Sequence, residues 1–207
     1  MKTKNTKLLN EDKNRKYYSK SDGNFLDLGN SLQAHKILSR INWARQFVHN
    51  RGVDSLLDVG TKDGYFPLLM KAEGLFGRCK GIDPSEDAIE YAKEKAEQAG
   101  LEVEYEVAFF EDYKDENIYE AVSCMEVIEH VVDIDSFINK LISMGIFVIV
   151  STPDAEGRFG MKDSERNEEH VRLFTKNELF ELFHARGCRV LDYDNIDDQH
   201  IIAVTRS

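Results

Sequence analysis

A chain of 207 residues, 42% of them apolar, can bury one full core without disulfides or metal as staples. Its 27 Lys and Arg against 38 Asp and Glu give a net charge of −11, which argues against a dedicated nucleic-acid coat or a protein held on anionic membrane. The sign is uneven: residues through Arg45 carry ten basic and four acidic side chains, a net +6, and the remainder is −17, a basic arm on an acidic body.

Cys79, Cys124 and Cys188 are far apart and in no C-x-x-C or Cys/His spacing, so neither a disulfide framework nor a zinc ribbon is expected. A reducing, cytoplasmic setting fits that usage. The Lys/Asn-rich N-terminus lacks the apolar run of a signal peptide. The longest unbroken aliphatic or aromatic stretch, Ile146 to Val150, falls far short of the ~20 residues of a membrane span.

Met1 to about Ser21 is polar and aperiodic and reads as a flexible arm that orders on a ligand or partner. From Leu32 the pattern turns helical: Leu32, His35, Leu38, Ile41, Trp43, Ala44 and Phe47 give a mostly apolar face that stops near Gly52. Ser55 to Val59 is a short buried strand closed by Gly60, and Pro67 sits in the first turn of the next helix. Cys79 to Ile82 is the second strand. Ser85 then caps a helix over Glu86 to Ala99, whose buried stripe is Ala88, Ile89, Ala92, Ala96 and Ala99. Alternation at Val103, Tyr105 and Val107 predicts a third strand, and Ala121 to Met125 a fourth. A helix over Asp135 to Ser143 and a strand over Ile146 to Val150 follow.

Asp154 to His170 breaks the rhythm with two glycines and many charges, a loop long enough to serve as a lid; its charges Arg158, Lys162, Glu165, Arg166, Glu168 and Glu169 read mostly as solvated. Thr175 and Glu178 form a capping box for the last helix, and the chain ends in two strands around a turn at Asn195 to Asp198. Alternating strands and helices call for right-handed crossovers and a parallel sheet covered on both faces, an α/β doubly wound fold. The division expected is an arm over residues 1–30 and one domain over 31–207.

The turn Asp58-Val59-Gly60-Thr61-Lys62-Asp63-Gly64, with Asp83 closing the next strand, has the form that brings backbone close to a ligand and offers a carboxylate to a ribose diol. It lacks the G-x-G-x-x-G of nicotinamide sites. It resembles instead the D-x-G-x-G-x-G of class I S-adenosylmethionine-dependent methyltransferases, with Lys62 in place of the middle glycine. Further on, Cys124-Met125-Glu126-Val127-Ile128-Glu129-His130-Val131 resembles the C-M-E-x-(I/L)-E-H-V of ubiquinone-biosynthesis O-methyltransferases and related glycan- and small-molecule-modifying enzymes. Ser151-Thr152-Pro153 and His170-Val171-Arg172-Leu173-Phe174-Thr175 are similar to their S-T-P and H-V-R-x-F-T. The usual P-G-G before the fifth strand is replaced by Ser143-Met144-Gly145.

The resemblance implies a Rossmann-like, seven-stranded, mostly parallel sheet with an antiparallel last strand, and S-adenosyl-L-methionine as cofactor. It implies that Asp83 binds the cofactor ribose, Pro84 shapes the turn beneath adenine, and Phe110 and Glu111 flank the ring. Gly60 and Gly64 carry the backbone past the cofactor, Asp58 orients the turn or the cofactor ammonium, and Met125 lies near the sulfonium. Arg40 clamps the carboxylate, a bidentate task suited to guanidinium.

Glu126, Glu129 and His130 have the i, i+3, i+4 spacing that puts three polar heads on one face of a helical turn. Three readings stay open here. His130, with Glu129, serves as general base; or Glu126, Glu129, His130 and His170 hold a divalent metal, as in the small-RNA 3′-terminal 2′-O-methyltransferases they resemble; or Glu129 and His130 cap a short helix and His170 anchors the loop. The reaction expected is methyl transfer to an oxygen of a small molecule or glycan, nucleic acid being disfavoured by the acidic body. A metal-dependent RNA 2′-O-methyltransferase and a cofactor-binding domain without catalysis are the alternatives. The aromatics Tyr17, Tyr18 and Phe25 are candidates for a pocket roof, and Trp43 for core packing.

Overall fold

The computed structural model describes residues 11–19, 31–157 and 170–207. The lid charges between Arg158 and Glu169, and Phe25 of the arm, lie outside them.

Thirteen elements are present among the described residues: α1 (Glu11–Tyr18), α2 (Ser31–His49), β1 (Ser55–Val59), α3 (Tyr65–Ala72), β2 (Arg78–Asp83), α4 (Glu86–Ala99), β3 (Glu104–Val107), β4 (Tyr119–Met125), α5 (Ile134–Met144), β5 (Gly145–Pro153), α6 (Lys176–His184), β6 (Cys188–Ile196) and β7 (Gln199–Arg206). The strands form one seven-stranded sheet in the order β3-β2-β1-β4-β5-β7-β6. β1 to β5 run parallel, and β7 pairs antiparallel with both β5 and β6. This is the doubly wound sheet expected from the alternation. The order reverses at β1, between β2 and β4, where the crevice for a ligand opens at the carboxyl ends of the strands.

Local chemistry explains the element ends. Ser85 accepts the Ala88 amide and Gly100 closes α4 in the left-handed region. Thr175 and Glu178 make the reciprocal capping box of α6. Asp197 and Asp198, at φ 53° and 63°, supply the two left-handed residues that a tight β6–β7 hairpin demands.

Packing follows burial on both sheet faces. One face carries α5 and α6, with Ile138, Leu141, Leu179 and Phe183 fully buried against Val122, Val148 and Ile202. The other carries α2 and α3, with Ala44, Phe47 and Met70 against Leu56, Ile149 and Ala203. Each such large side chain contributes roughly 1.5–3 kcal/mol of burial.

Three sequence expectations shift. Among the side chains described from Ala34 onward, the core face of α2 is Ala34, Ile41, Ala44, Phe47 and Val48, whereas Leu38 and His35 point outward; the Leu32 side chain lies outside the described ones, and Trp43 stacks on Phe47 with the rings 4° from parallel. In β3 only Tyr105 is buried and Val107 is 47% exposed, because β3 is the sheet edge. The arm also departs from a structureless segment: Glu11 to Tyr18 is a helix lying over the crevice.

Candidate active site

A cavity of about 550 Å³ opens at the carboxyl ends of β1, β2 and β4. Its floor is the β1–α3 turn. Gly60 and Gly64 take φ of 72° and 70°, and a Cβ on Gly64 would lie 2.6 Å from both Ala92 Cβ and the Tyr105 hydroxyl. Lys62 adopts the left-handed conformation too, at φ 51°, so the backbone of the turn keeps a glycine-like path despite its side chain. The Lys62 amide donates to Asp83 Oδ2 and the Ser85 amide to Oδ1, both at 2.9 Å. Each Asp83 oxygen retains a second acceptor site, and the residue lines the cavity. Burial raises its carboxyl above the ordinary value.

Beneath the turn, Asp58 is 4% exposed and accepts the Ser123 hydroxyl at 2.6 Å. Burial, partly offset by that hydrogen bond, pushes its carboxyl up to about 7. Pro84, Phe110, Glu111 and Met125 all line the cavity. Phe110 is its buried underside, packed edge-on to Phe137 at 4.8 Å, while the guanidinium of Arg15 lies 4.7 Å over the Phe109 ring.

Arg40 of α2 is 7% exposed and lines the cavity, which rules out a solvated helix charge. Its Nη1 lies 3.7 Å from Glu126 Oε2 and has no hydrogen-bond partner among the described residues.

After β4 the chain does not form the helical turn that the spacing of Glu126, Glu129 and His130 suggested. Glu126 sits at φ 57°, which breaks the helical register, and its carboxylate is not among the ligand atoms that cluster. Its carboxylate accepts the Ser151 hydroxyl at 2.8 Å and the Gln199 amide at 2.5 Å. Glu129, His130 and His170 do come together, their ligand atoms within 4.8 Å of one another. Glu129 is 1% exposed, with Oε2 accepting the Thr152 hydroxyl at 3.0 Å and Oε1 without a hydrogen-bond partner among the described residues, 3.8 Å from His130 Nε2. Burial, reinforced by nearby Glu126, pushes the Glu129 carboxyl well above the usual carboxylate range. The amides of Val171 and Arg172 donate to Glu129 O, and Arg172 Nη2 donates to Val132 O, tying the segment that leads into α6 to this loop.

α1 completes the enclosure. Asn14, Tyr17 and Tyr18 line the cavity. Asn14 Nδ2 donates to His130 O at 2.9 Å, the Tyr18 hydroxyl lies 2.7 Å from His130 Nδ1, and Arg15 pairs with Asp112 on the opposite rim. Tyr17 and Tyr18 were legible as roof aromatics; Asn14 and Gln199 carry no sequence signal, since each acts only through tertiary placement.

Comparison with known proteins agrees with this geometry. The sequence profile of the family described as Methyltransferase domain matches residues 33–193. The ubiquinone biosynthesis O-methyltransferase of Vibrio atlanticus (strain LGP32) is 31% identical over 118 residues, 55% of this chain and 49% of that protein. The enzyme of the same name from Klebsiella pneumoniae (strain 342) is 27% identical over 164 residues, 72% of this chain and 64% of that protein. Both matches thus span less than two thirds of the relatives' own length. Among solved structures, magnesium protoporphyrin IX methyltransferase from Synechocystis PCC 6803 with bound SAH superposes with a TM-score of 0.72 at 15% identity, covering 90% of each chain. The methyltransferase domain of bacterial CtHen1-C gives 0.68 at 20% identity, over 81% of this chain and 97% of that one. The chain belongs to the methyltransferase-domain family, with the class I S-adenosylmethionine-dependent methyltransferase fold.

Proposed function

We propose that the protein transfers a methyl group from S-adenosyl-L-methionine to an oxygen of a small molecule or glycan, with residues 31–207 as the catalytic domain and residues 1–30 as a covering arm. The observation that carries this reading is one cavity bringing Gly60, Asp83, Met125, Arg40 and His130 together at the switch point of the sheet. The cofactor fits the donors present: Asp83 offers two free acceptor sites for a ribose diol, Asp58 a buried carboxyl for the ammonium, and Arg40 a buried guanidinium for the carboxylate. When bound it supplies an electrophilic methyl on a sulfonium.

The residues of the chain then have separable tasks. The turn and Asp83 hold the adenosine end, while Arg40 fixes the amino-acid end. α1 and Phe109 exclude water, and His130 takes the acceptor proton with Glu129 behind it. The names of the relatives support an oxygen acceptor. The intact backbone path through Lys62 counts against a degenerate domain. Cys79, Cys124 and Cys188 are all free and buried, which supports a reducing, cytoplasmic setting. No helix among the described residues is long and apolar enough to cross a membrane.

The cluster of Glu129, His130 and His170 favours a metal-assisted form of the same reaction as a second reading. Two imidazoles and Glu129 Oε1, which has no hydrogen-bond partner among the described residues, are a fitting donor set for a divalent cation, which would lower the pKa of an acceptor hydroxyl and orient it. Glu126, engaged by Ser151 and Gln199, joins that set only after reorienting. The −17 body weighs against RNA as the acceptor.

The test is a screen of hydroxylated acceptors for S-adenosylhomocysteine release, run with and without chelator. Turnover on a hydroxylated small molecule is the expected result. A protein that binds the cofactor yet methylates no acceptor would contradict the reading, and chelator-insensitive turnover would remove the metal-assisted form.

A further inference from the structure

Glu126 combines three features that a surface carboxylate does not need. Its backbone is left-handed at φ 57°, a conformation that costs a non-glycine residue on the order of 1 kcal/mol and persists where the surroundings impose it. Its two oxygens are held separately, Oε1 by Ser151 of β5 and Oε2 by Gln199 of β7, and its amide donates to Ser151 O at 3.0 Å. The anion so fixed stands 3.7 Å from Nη1 of Arg40, a separation that lends charge compensation without forming a hydrogen bond.

We propose that Glu126 is the positioning residue of Arg40: a counterion anchored by β5 and β7 that holds the buried guanidinium at the cavity wall while leaving its donor capacity for the carboxylate of the bound cofactor. A buried cation without a partner carries a large desolvation cost and is driven to rearrange. Glu126 removes that cost from outside hydrogen-bonding distance. Ser151 and Gln199 keep the carboxylate from collapsing onto the guanidinium and consuming it. The role rests on the methyltransferase reading above and differs from a metal-ligand role for Glu126, which would require the side chain to leave both anchors and face Glu129.

The discriminating measurement is calorimetric binding of two ligands in the presence of chelator. S-adenosylhomocysteine carries the amino-acid tail, whereas 5′-methylthioadenosine shares the adenosine and thioether but lacks the tail. Glu126→Gln should weaken S-adenosylhomocysteine binding at least tenfold and change 5′-methylthioadenosine binding less than twofold. Gln199→Met, which loosens the anchor and keeps the charge, should move the same way by a smaller factor and serves if Glu126→Gln folds poorly. Equal weakening of both ligands, unchanged or tighter S-adenosylhomocysteine binding, or an effect that appears only when divalent metal is added, would each overturn the role. Wild-type protein that binds neither ligand would sink the methyltransferase reading and this role with it. Wild-type protein that binds both, with both variants unaltered, sinks this role alone.

Discussion

The hydroxyl of Tyr18 lies 2.7 Å from Nδ1 of His130, across 112 residues of sequence, and Asn14 of the same helix donates to the His130 carbonyl oxygen at 2.9 Å. A helix at the start of the chain thereby closes the cavity from above, with Arg15 reaching Asp112 on the far rim. The acidic body and the basic arm meet at this contact.

A bound cofactor would lie under α1, so its release requires those hydrogen bonds to open. Each contributes about 1 kcal/mol. The double variant Asn14→Ala/Tyr18→Phe should release S-adenosylhomocysteine on the order of tenfold faster in stopped-flow experiments. An unchanged dissociation rate would mean that α1 does not cover the bound ligand.

Gly64 has no room for a side chain. Its φ of 70° and the 2.6 Å approach of Ala92 Cβ predict that Gly64→Ala destabilises the fold by about 3 kcal/mol, combining left-handed strain with overpacking. Urea unfolding of the two proteins checks this. A midpoint equal to wild type would show that the turn relaxes freely.

Lys62 presents the opposite case. Its backbone at φ 51° is one that glycine adopts without strain, and its functional contact with Asp83 is made by its amide. Lys62→Gly should keep S-adenosylhomocysteine affinity within twofold and raise stability by up to about 1 kcal/mol, less the added chain entropy of glycine. A tenfold loss of affinity would assign the side chain itself to the ligand.

Asp58 gives a pH signature. Burial holds its carboxyl up at about 7, against an ordinary 3.8. Between those values the native protein keeps a proton that the unfolded chain has lost, so this group lowers stability as pH rises from about 4 to 7 and adds no further change above. The shift corresponds to on the order of 4 kcal/mol across the window. Asp58→Asn should gain stability over wild type progressively through that range in urea melts. A constant difference from pH 4 to 8 would place the Asp58 carboxyl at its ordinary value.

Much of the fold is legible in local chemistry. The Ser85 cap, the Thr175–Glu178 box and the bounds of β1 depend on neighbours within a few residues, and they appear where the sequence puts them. The turn residues and Asp83 are legible for the same reason, since strand, glycine turn and acid are close in sequence. What sequence spacing misread is governed by tertiary context. Glu126, Glu129 and His130 suit one helical face, but left-handed backbone at Glu126 divides them, and the donors that hold it arrive from β5 and β7. The face of α2 is shifted because the sheet, not the helix, decides which residues it buries. The helix in the arm has no apolar period of its own and is recognised only against the cavity it covers.

The most direct measurement of the account is titration calorimetry of wild-type protein and Asp83→Ala with S-adenosylhomocysteine. Asp83 contributes two acceptor sites toward the cavity beside the two its turn amides occupy. Hydrogen bonds to a charged group at roughly 1.5–3 kcal/mol each predict one-to-one binding by wild type and a loss of 100-fold or more, on the order of two such bonds, in the variant. Absence of binding to wild-type protein, or equal affinity in the two, would contradict the assignment of this cavity to the cofactor.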